Sequence, residues 1–329
     1  MEASTRRNML VLIACLVAVA LVAVFIWQWP PLQSAMPEKL RFGYLPIASD
    51  ASFFVAVEQS FFQREGLQVE PIKFESSNQA LEALVAGRID ATAVVALESA
   101  LALEAITPNQ FRIIEMTAAT AQTRVHRIIV KKDSLIQKLE DLKGKKIGTF
   151  PGSQMVVFLK LILGRYFNAD REVEITQLKA QLQPQALENG QVDALFCLEP
   201  TGTLLEERGL ARSISVNPLY EYILKPFPTA VGVVSIELVK EKPDVVAHIN
   251  AALRAAHEYM RTHPAEAALA VPKYAPIEPN LAPKIAVYDY WDLQTIDREA
   301  VQRLADLYTD KGILGKRVST ASLYAELPK

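Results

Sequence analysis

Apolar positions along the chain fall into three regimes. From Met9 to Trp27 they are continuous. From residue 40 to about 226, short β-rich runs alternate with stretches of helical period, and beyond residue 242 the helical period dominates. In the middle regime "LRFGYL" (40–45), "LQVEPIKF" (67–74), "IDATAV" (89–94) and "FRIIEMTA" (111–118) read as strands. Between them "ASFFVAVEQSFFQREG" (51–66), "SSNQALEALVAG" (76–87) and "ALESALALEA" (96–105) read as helices, the second with Ser76 or Ser77 as its cap and Gly87 past its end. The alternation then restarts with strands at 145–150, 172–178 and 192–198 and helices at 151–167, 183–190 and 199–209. Strand–helix alternation implies right-handed crossovers and mostly parallel sheets.

The restart is written into the residues. "ALEALVAGRIDATAV" (80–94) and "ALENGQVDALF" (186–196) both run from a helix end through Gly to an aliphatic residue, Asp and Ala. Each copy occupies the same place in one of two similar α/β lobes, and the Gly serves as a helix C-cap. Asp90 and Asp193 stand at strand starts, where a carboxylate can satisfy nearby amides, so both are read as structural. Two crossing strands link the lobes as a hinge, in the segments 124–132 and 227–235. The helices at 242–264 and 295–314 must cover a sheet, and the first lobe is the one left incomplete. The first of them shows Val245, Ile249, Ala252, Leu253, Ala256 and Met260 on one face, with Pro243 at its start. Lobe 1 is therefore expected to be discontinuous (36–123 plus 236–329), lobe 2 continuous (133–226), with a cleft at the carboxyl ends of both sheets.

The first regime speaks to location. Nineteen apolar residues from Met9 to Trp27 span about 28 Å as a helix, close to a bilayer core. Arg6 and Arg7 precede the run, and Trp27 and Trp29 sit at its far edge. That arrangement suits a cytoplasmic N-terminus and an interfacial aromatic belt. "TRRNML" loosely resembles a twin-arginine signal, "LIAC" (12–15) a lipoprotein box at Cys15, and "QSA" (33–35) a weak signal-peptidase site. A retained single-pass anchor over residues 1–35 is the expectation, with cleavage or lipidation as its alternatives. In each case residues 36–329 lie on the extracytoplasmic side of the cytoplasmic membrane.

Composition narrows the function. Half of the 329 residues are hydrophobic, enough for one large or two ordinary cores. The net charge of −2 argues against nucleic acid as a partner. Without the first 35 residues, 33 basic and 36 acidic residues remain, so a bound anion must be held locally and not by a global positive field. His126, His248, His257 and His263 show no metal-ligand spacing, and Cys15 and Cys197 suggest no disulfide. No metal and no cofactor is expected.

At this point the chain resembles the solute-binding proteins of ABC importers, in the branch that serves sulfonates, taurine, nitrate, bicarbonate and thiamine-precursor pyrimidines. The resemblance rests on the order and spacing of "LRFGYLP…FFVAVEQSFFQREGLQVE", "ALEALVAGRIDATAV", "LEDLKGKKIGTFPGSQ", "GQVDALFCLEP" and "KPDVVAHINAALRAAHEYMRTHPAEA". It implies the type II periplasmic-binding-protein fold, a small and typically anionic ligand, and permease and ATPase subunits as partners. Leu198 stands where many members have an aromatic residue, and "VALES" (95–99) where many have Gly or Pro, so the ligand can differ from the familiar ones.

In such a fold the loops after strands line the cleft, and helix starts offer free N–H groups to an anion. In lobe 1 this selects Ser49, Ser52, Ser76, Ser77 and Glu98, and in lobe 2 Gly152, Ser153, Gln154, Glu199 and Thr201. Ser153 is the leading contact, its alternative role being to cap its own helix. Glu199 with Pro200 also reads as a helix-start device. Glu98 would repel an anion, so it turns outward or reads a ligand amine. Arg124, His126 and Arg127 read as an exposed charged hinge, with a ligand counter-charge as the minority role. Engulfment is required on magnitude. A ~1 μM binder needs about −8 kcal/mol, and a solute of ~7 heavy atoms has a ceiling of about −10 kcal/mol, so nearly every atom must be contacted. An enzyme or a membrane-tethered sensor on the same fold is the competing class. No Gly-x-Ser-x-Gly elbow or Gly-Lys-Thr loop occurs in the sequence, so binding without chemistry is favoured.

Overall fold

A computed structural model describes residues 37–328. The apolar run read as an anchor lies outside the described residues. Among the described residues no helix is long and apolar enough to cross a membrane.

The strands in chain order are β1 (Glu38–Tyr44), β2 (Leu67–Lys73), β3 (Ala91–Ala96), β4 (Phe111–Ala119), β5 (His126–Lys131) and β6 (Lys146–Thr149). They continue with β7 (Glu174–Gln177), β8 (Ala194–Leu198), β9 (Ala211–Val216), β10 (Phe227–Ser235) and β11 (Asp289–Asp292). They form two sheets, ordered β11-β4-β10-β3-β1-β2 and β7-β6-β8-β5-β9. In the first, β1 is parallel to β2 and β3, while β10 runs antiparallel to both β3 and β4. In the second, β6 is parallel to β7 and β8, while β5 runs antiparallel to β8 and β9. Leaving out β11, the two orders are the same, each with four strands in one direction and a fifth inserted against them.

The segments expected as links, 124–132 and 227–235, thus contain β5 and β10, each an interior strand of a sheet. Between the sheets the chain runs through 120–125 and again through 217–226. The expected helix 51–66 is two helices, Ala51–Glu58 and Phe61–Arg64, because Ser60 turns left-handed at φ 58°. β9, β11 and the short helices Pro218–Tyr222 and Ile236–Glu241 were not expected. β9 is partly exposed, and β11 is four residues with an acid at each end.

The doubled sequence phrase has a common geometry. Gly87 and Gly190 end their helices at φ 65° and 70°, a conformation that favours glycine. The Asp90 carboxylate accepts the Arg41 amide of β1 at 2.8 Å, and the Asp193 carboxylate accepts the Lys146 amide of β6 at 2.8 Å. Each aspartate's own amide donates back to the same partner's carbonyl, at 2.9 and 2.8 Å. The carboxylates tie the third strand of each sheet to the first, as the structural reading required.

The C-terminal helices cover the first sheet. Pro243–Thr262 packs on Ala51–Glu58 and buries Val246, Ile249, Ala252, Leu253 and Ala256, while Val245 and Met260, expected on that face, are partly buried. Phe42 of β1 stacks on Phe53 with centroids 4.7 Å apart, and Phe54 stacks on Tyr274 at 4.6 Å. These aromatics anchor the helix that begins at the cleft. Helix Arg298–Asp310 packs on β10 and on helix Leu97–Ile106.

Asp90→Ala and Asp193→Ala each leave one strand amide without its acceptor. Each is expected to lower stability by about 1–3 kcal/mol in urea unfolding. The Arg41 pair adds little to the first, because both of its side chains are part-exposed. A neutral result for either would remove the structural role assigned to that carboxylate.

Candidate functional site

Between the two sheets lies a cavity of about 40 Å³ at the carboxyl ends of β1, β3, β6 and β8. From the first sheet it takes Leu45, Ile47 and Ser49 after β1, Ser77 and Asn78 at a helix start, Val94 and Ala96 of β3 and Ser99 beyond it. β10 adds Thr229 and Ala230, and Tyr288 comes from the segment before β11. The second sheet contributes His126 of β5, Phe150–Gly152, Gln154 and Met155 after β6, and Leu198 of β8. No Lys, Arg, Asp or Glu is among these lining residues.

Four of the ten expected site residues line this cavity: Ser49, Ser77, Gly152 and Gln154. The Ser77 hydroxyl accepts the Ala96 amide at 2.9 Å, which frees Ser76 to cap the helix, its hydroxyl 3.4 Å from the Gln79 amide. Gly152 holds the N-cap place of helix Ser153–Leu163 at φ 121°, a backbone state that only glycine adopts readily. Its amide donates to Gln177 Oε1 at 2.7 Å. Gln154 donates its side-chain amide to the Thr229 carbonyl of the other sheet.

The other six lie elsewhere. Ser153 is not the cap of its helix. Its hydroxyl donates to Glu98 Oε2 at 2.9 Å and lies 3.4 Å from the Ser99 hydroxyl, on an outer groove that Glu98 also lines. Glu98 turns away from the cavity, as one of its two expected alternatives required, but stays buried with its carboxylate on Ser153. Ser52 is buried and donates to Glu115 Oε1 at 3.3 Å. Glu199 is ion-paired with Arg127 at 2.8 Å and accepts the Thr203 amide at 3.2 Å, so it is a helix-start device; burial pushes its carboxyl up from the usual range. Thr201 lines a separate groove with Ala180, Pro184 and Leu204. Arg127, read as an exposed hinge charge, is instead held between Glu199 and Glu206.

Sequence reasoning missed Asn78, Ser99, Thr229 and Tyr288, and gave His126 a minor role. His126 is stacked on Phe196 with centroids 5.7 Å apart, and its Nδ1 lies 2.9 Å from the Tyr288 hydroxyl. Burial pulls the imidazole down to about 3, so it is neutral at physiological pH. Behind Ser49 the structure buries two more acids. Glu115 meets His257 at 2.7 Å, while Asp50 accepts the Leu45 amide at 3.3 Å and is held well above the usual carboxylate range by burial and by nearby Glu115.

The sheets are held together across the cleft by few polar contacts. Besides Ser153 with Glu98 and Ser99, Gln154–Thr229 and Tyr288–His126, they are Lys179–Glu75 at 3.5 Å, Arg208–Glu278 at 2.6 Å, Lys284–Glu207, and Asn217 to the Thr120 carbonyl at 2.6 Å. The three ion pairs are half-exposed, and such pairs contribute ~0–1 kcal/mol each. The cavity has room for a few waters, so a ligand of several heavy atoms enters only if these contacts part.

Two α/β sheets of like strand order with a cavity at their carboxyl ends have the architecture of periplasmic binding proteins. The family described as NMT1/THI5 like matches residues 48–267, and the chain belongs to that family. A Haemophilus influenzae protein named for thiamine biosynthesis is 25% identical over 84% of this chain and 88% of its own length. A Bacillus subtilis protein named for binding aliphatic sulfonates is 29% identical over 68% of this chain and 64% of its own. The alkanesulfonate-binding protein of Xanthomonas axonopodis pv. citri bound to MOPS superposes with TM-score 0.72 at 21% identity, over 88% of this chain and 99% of that one. The desulfurization enzyme DSZB shares the fold at TM-score 0.63 and 17% identity, over 88% and 96%.

His126 yields a pH prediction. Its pKa is about 3 in the folded chain against ~6.5 unfolded. As pH falls from 6.5 toward 3, only the unfolded chain takes up this proton, so stability is lost on acidification. The contribution is up to ~1.4 kcal/mol per pH unit. His126→Asn should flatten the stability–pH slope between pH 6 and 4, measured by denaturant unfolding, although its absolute stability is lower. An unchanged slope would mean that the imidazole is protonated in the folded state.

Proposed function

We propose that this chain is the extracytoplasmic solute-binding protein of an ABC importer. It takes a small organic anion with a sulfonate-type head into the cavity between the sheets and delivers it to a membrane permease. The lobes of the proposal are 36–123 plus 236–329 and 133–226, and they part and close about the two crossings. One observation carries the reading: donors from both sheets converge on a cavity with no acidic lining side chain. Ser77, Gln154 and Tyr288 supply hydroxyl and amide groups, while the Thr229 hydroxyl is bonded to Thr117, and helices begin at Ser77 and Ser153. A strong-acid anion needs donors and helix-start dipoles but no full counter-charge. The names of the Bacillus and Xanthomonas proteins point the same way.

A second reading, a thiamine-precursor pyrimidine, is supported by the aromatic wall of His126, Phe150 and Tyr288 and by the name of the Haemophilus relative. Catalysis on this fold is disfavoured by the state of Cys197. The thiol is buried and burial raises it far above its ordinary value, the reverse of what a nucleophile needs.

The test is calorimetric titration of residues 36–329 with ethanesulfonate, MOPS, nitrate, bicarbonate and an aminopyrimidine. A sulfonate is expected to bind in the micromolar range. Gln154→Ala and Ser77→Ala are each expected to weaken it roughly ten- to a hundredfold, as for a lost hydrogen bond to a charged group. Binding of the pyrimidine alone would select the second reading.

A further inference from the structure

The cavity wall carries one basic side chain. His126 is 2% exposed, and no Lys or Arg joins it on the lining. Phe158 and Phe196 flank its ring, and Tyr288 is the titratable group that faces it. Burial raises the Tyr288 hydroxyl, so that group keeps its proton and carries no charge. The charges nearby are taken or lie outside. Arg127 is held by Glu199 and Glu206, Glu221 pairs with Lys225, and Arg124 is exposed. Across the cavity Glu115 meets His257, and burial holds Asp50 well above the usual carboxylate range. Burial is the one cause of the weak basicity of His126, with no neighbouring charge acting on it.

The ring is also short of partners. An imidazole has two nitrogens to satisfy. The Tyr288 hydroxyl lies 2.9 Å from Nδ1 and 3.0 Å from Nε2, and its single proton serves one of them at a time. No other side chain among the described residues bonds either nitrogen. The second nitrogen is left to whatever fills the cavity. Protonated and alone, this ring would be a buried unpaired charge, which is costly. An anion beside it removes that cost. An opposite charge within ~4–6 Å favours the charged form by roughly ten- to a thousandfold. The imidazolium then has two N–H donors, one for the Tyr288 oxygen and one for the anion.

We infer that His126 is a conditional counter-charge, which takes up a proton when an anion fills the cavity and stays neutral over an uncharged solute. The inference rests on the anion reading of the cavity. It makes His126 the residue that sets the preference for a charged head group over a neutral one of the same shape. Above neutral pH that preference comes from hydroxyls, amides and helix starts alone. On acidification the imidazolium adds to it, so solute and proton enter together.

The experiment follows the His126 ring by NMR in the full chain, its signal assigned with His126→Asn. The chain is saturated with ethanesulfonate, charged throughout the range, or with ethanesulfonamide, uncharged in the same range. The ring is expected to be protonated by about pH 5 in the sulfonate complex and neutral there in the sulfonamide complex. Calorimetric titration should show the affinity ratio of sulfonate to sulfonamide rising roughly three- to tenfold from pH 7 to pH 5. In His126→Asn the ratio should be flat. His248, His257 and His263 do not line the cavity, so their titration cancels in the ratio. A ring that stays neutral at pH 5 in the sulfonate complex, or one protonated alike in both complexes, overturns the inference and leaves the anion reading standing. So does a ratio that keeps its pH dependence in His126→Asn. Ethanesulfonate that fails to bind at any pH overturns the anion reading and the inference together.

Discussion

β10 is the strand on which the rest depends. All nine of its residues are buried, and it is hydrogen-bonded to β3 on one side and β4 on the other. It arrives only after the chain has built the whole second sheet, so the first sheet cannot be completed until that crossing is made. β5 plays the reciprocal part between β8 and β9. Each crossing strand begins at the edge where its neighbours end, which places His126 and Thr229 on the cavity. Room at this strand is limited. A Cβ at Gly232 would lie 2.5 Å from Glu115 Cγ and 2.9 Å from the Ala93 carbonyl, so glycine is required beside a buried carboxylate that already needs His257 and Ser52 as partners.

The electrostatics of the site follow from where the charges go. Arg127 is taken by Glu199 and Glu206, Glu98 accepts from Ser153, and Glu115 meets His257, each one step outside the cavity wall. What remains on the wall are hydroxyls, amides, aromatic rings, a neutral imidazole and aliphatic side chains such as Leu45, Ile47, Val94, Met155 and Leu198. On the proposed reading such a wall suits a head group whose charge is fixed and spread over several oxygens.

Much of the fold was legible because periodicity and punctuation agreed. The apolar runs of β1 to β4 and β6 to β8 sit within one or two residues of their sequence positions, and Gly87 and Gly190 fall where a left-handed cap is needed. The crossing segments were legible as hinge strands but not as sheet interior, because "RIIV" and "AVGVV" carry no alternation that would assign them a place in either sheet. The site was legible only in part. Helix starts were located, but which of two adjacent serines caps and which faces the cleft depends on the register of β3, since Ala96 supplies the amide that claims Ser77. Ser153 was placed at the right helix, yet its hydroxyl is taken by Glu98, fifty-five positions away in sequence and on the other sheet. Tyr288 lies in an irregular segment with no local signal. Contacts of this kind are set by tertiary packing and leave no trace in local pattern.

The central claim is that the cavity between the sheets holds the head group. Crystals of residues 36–329 grown with a bound sulfonate allow the ligand sulfur to be located by its anomalous scattering. The account predicts a single ligand peak enclosed by Ser77, Gln154, Thr229 and Tyr288, with both sheets in contact. A sulfur bound on the outer surface, or held by one sheet alone, would contradict it.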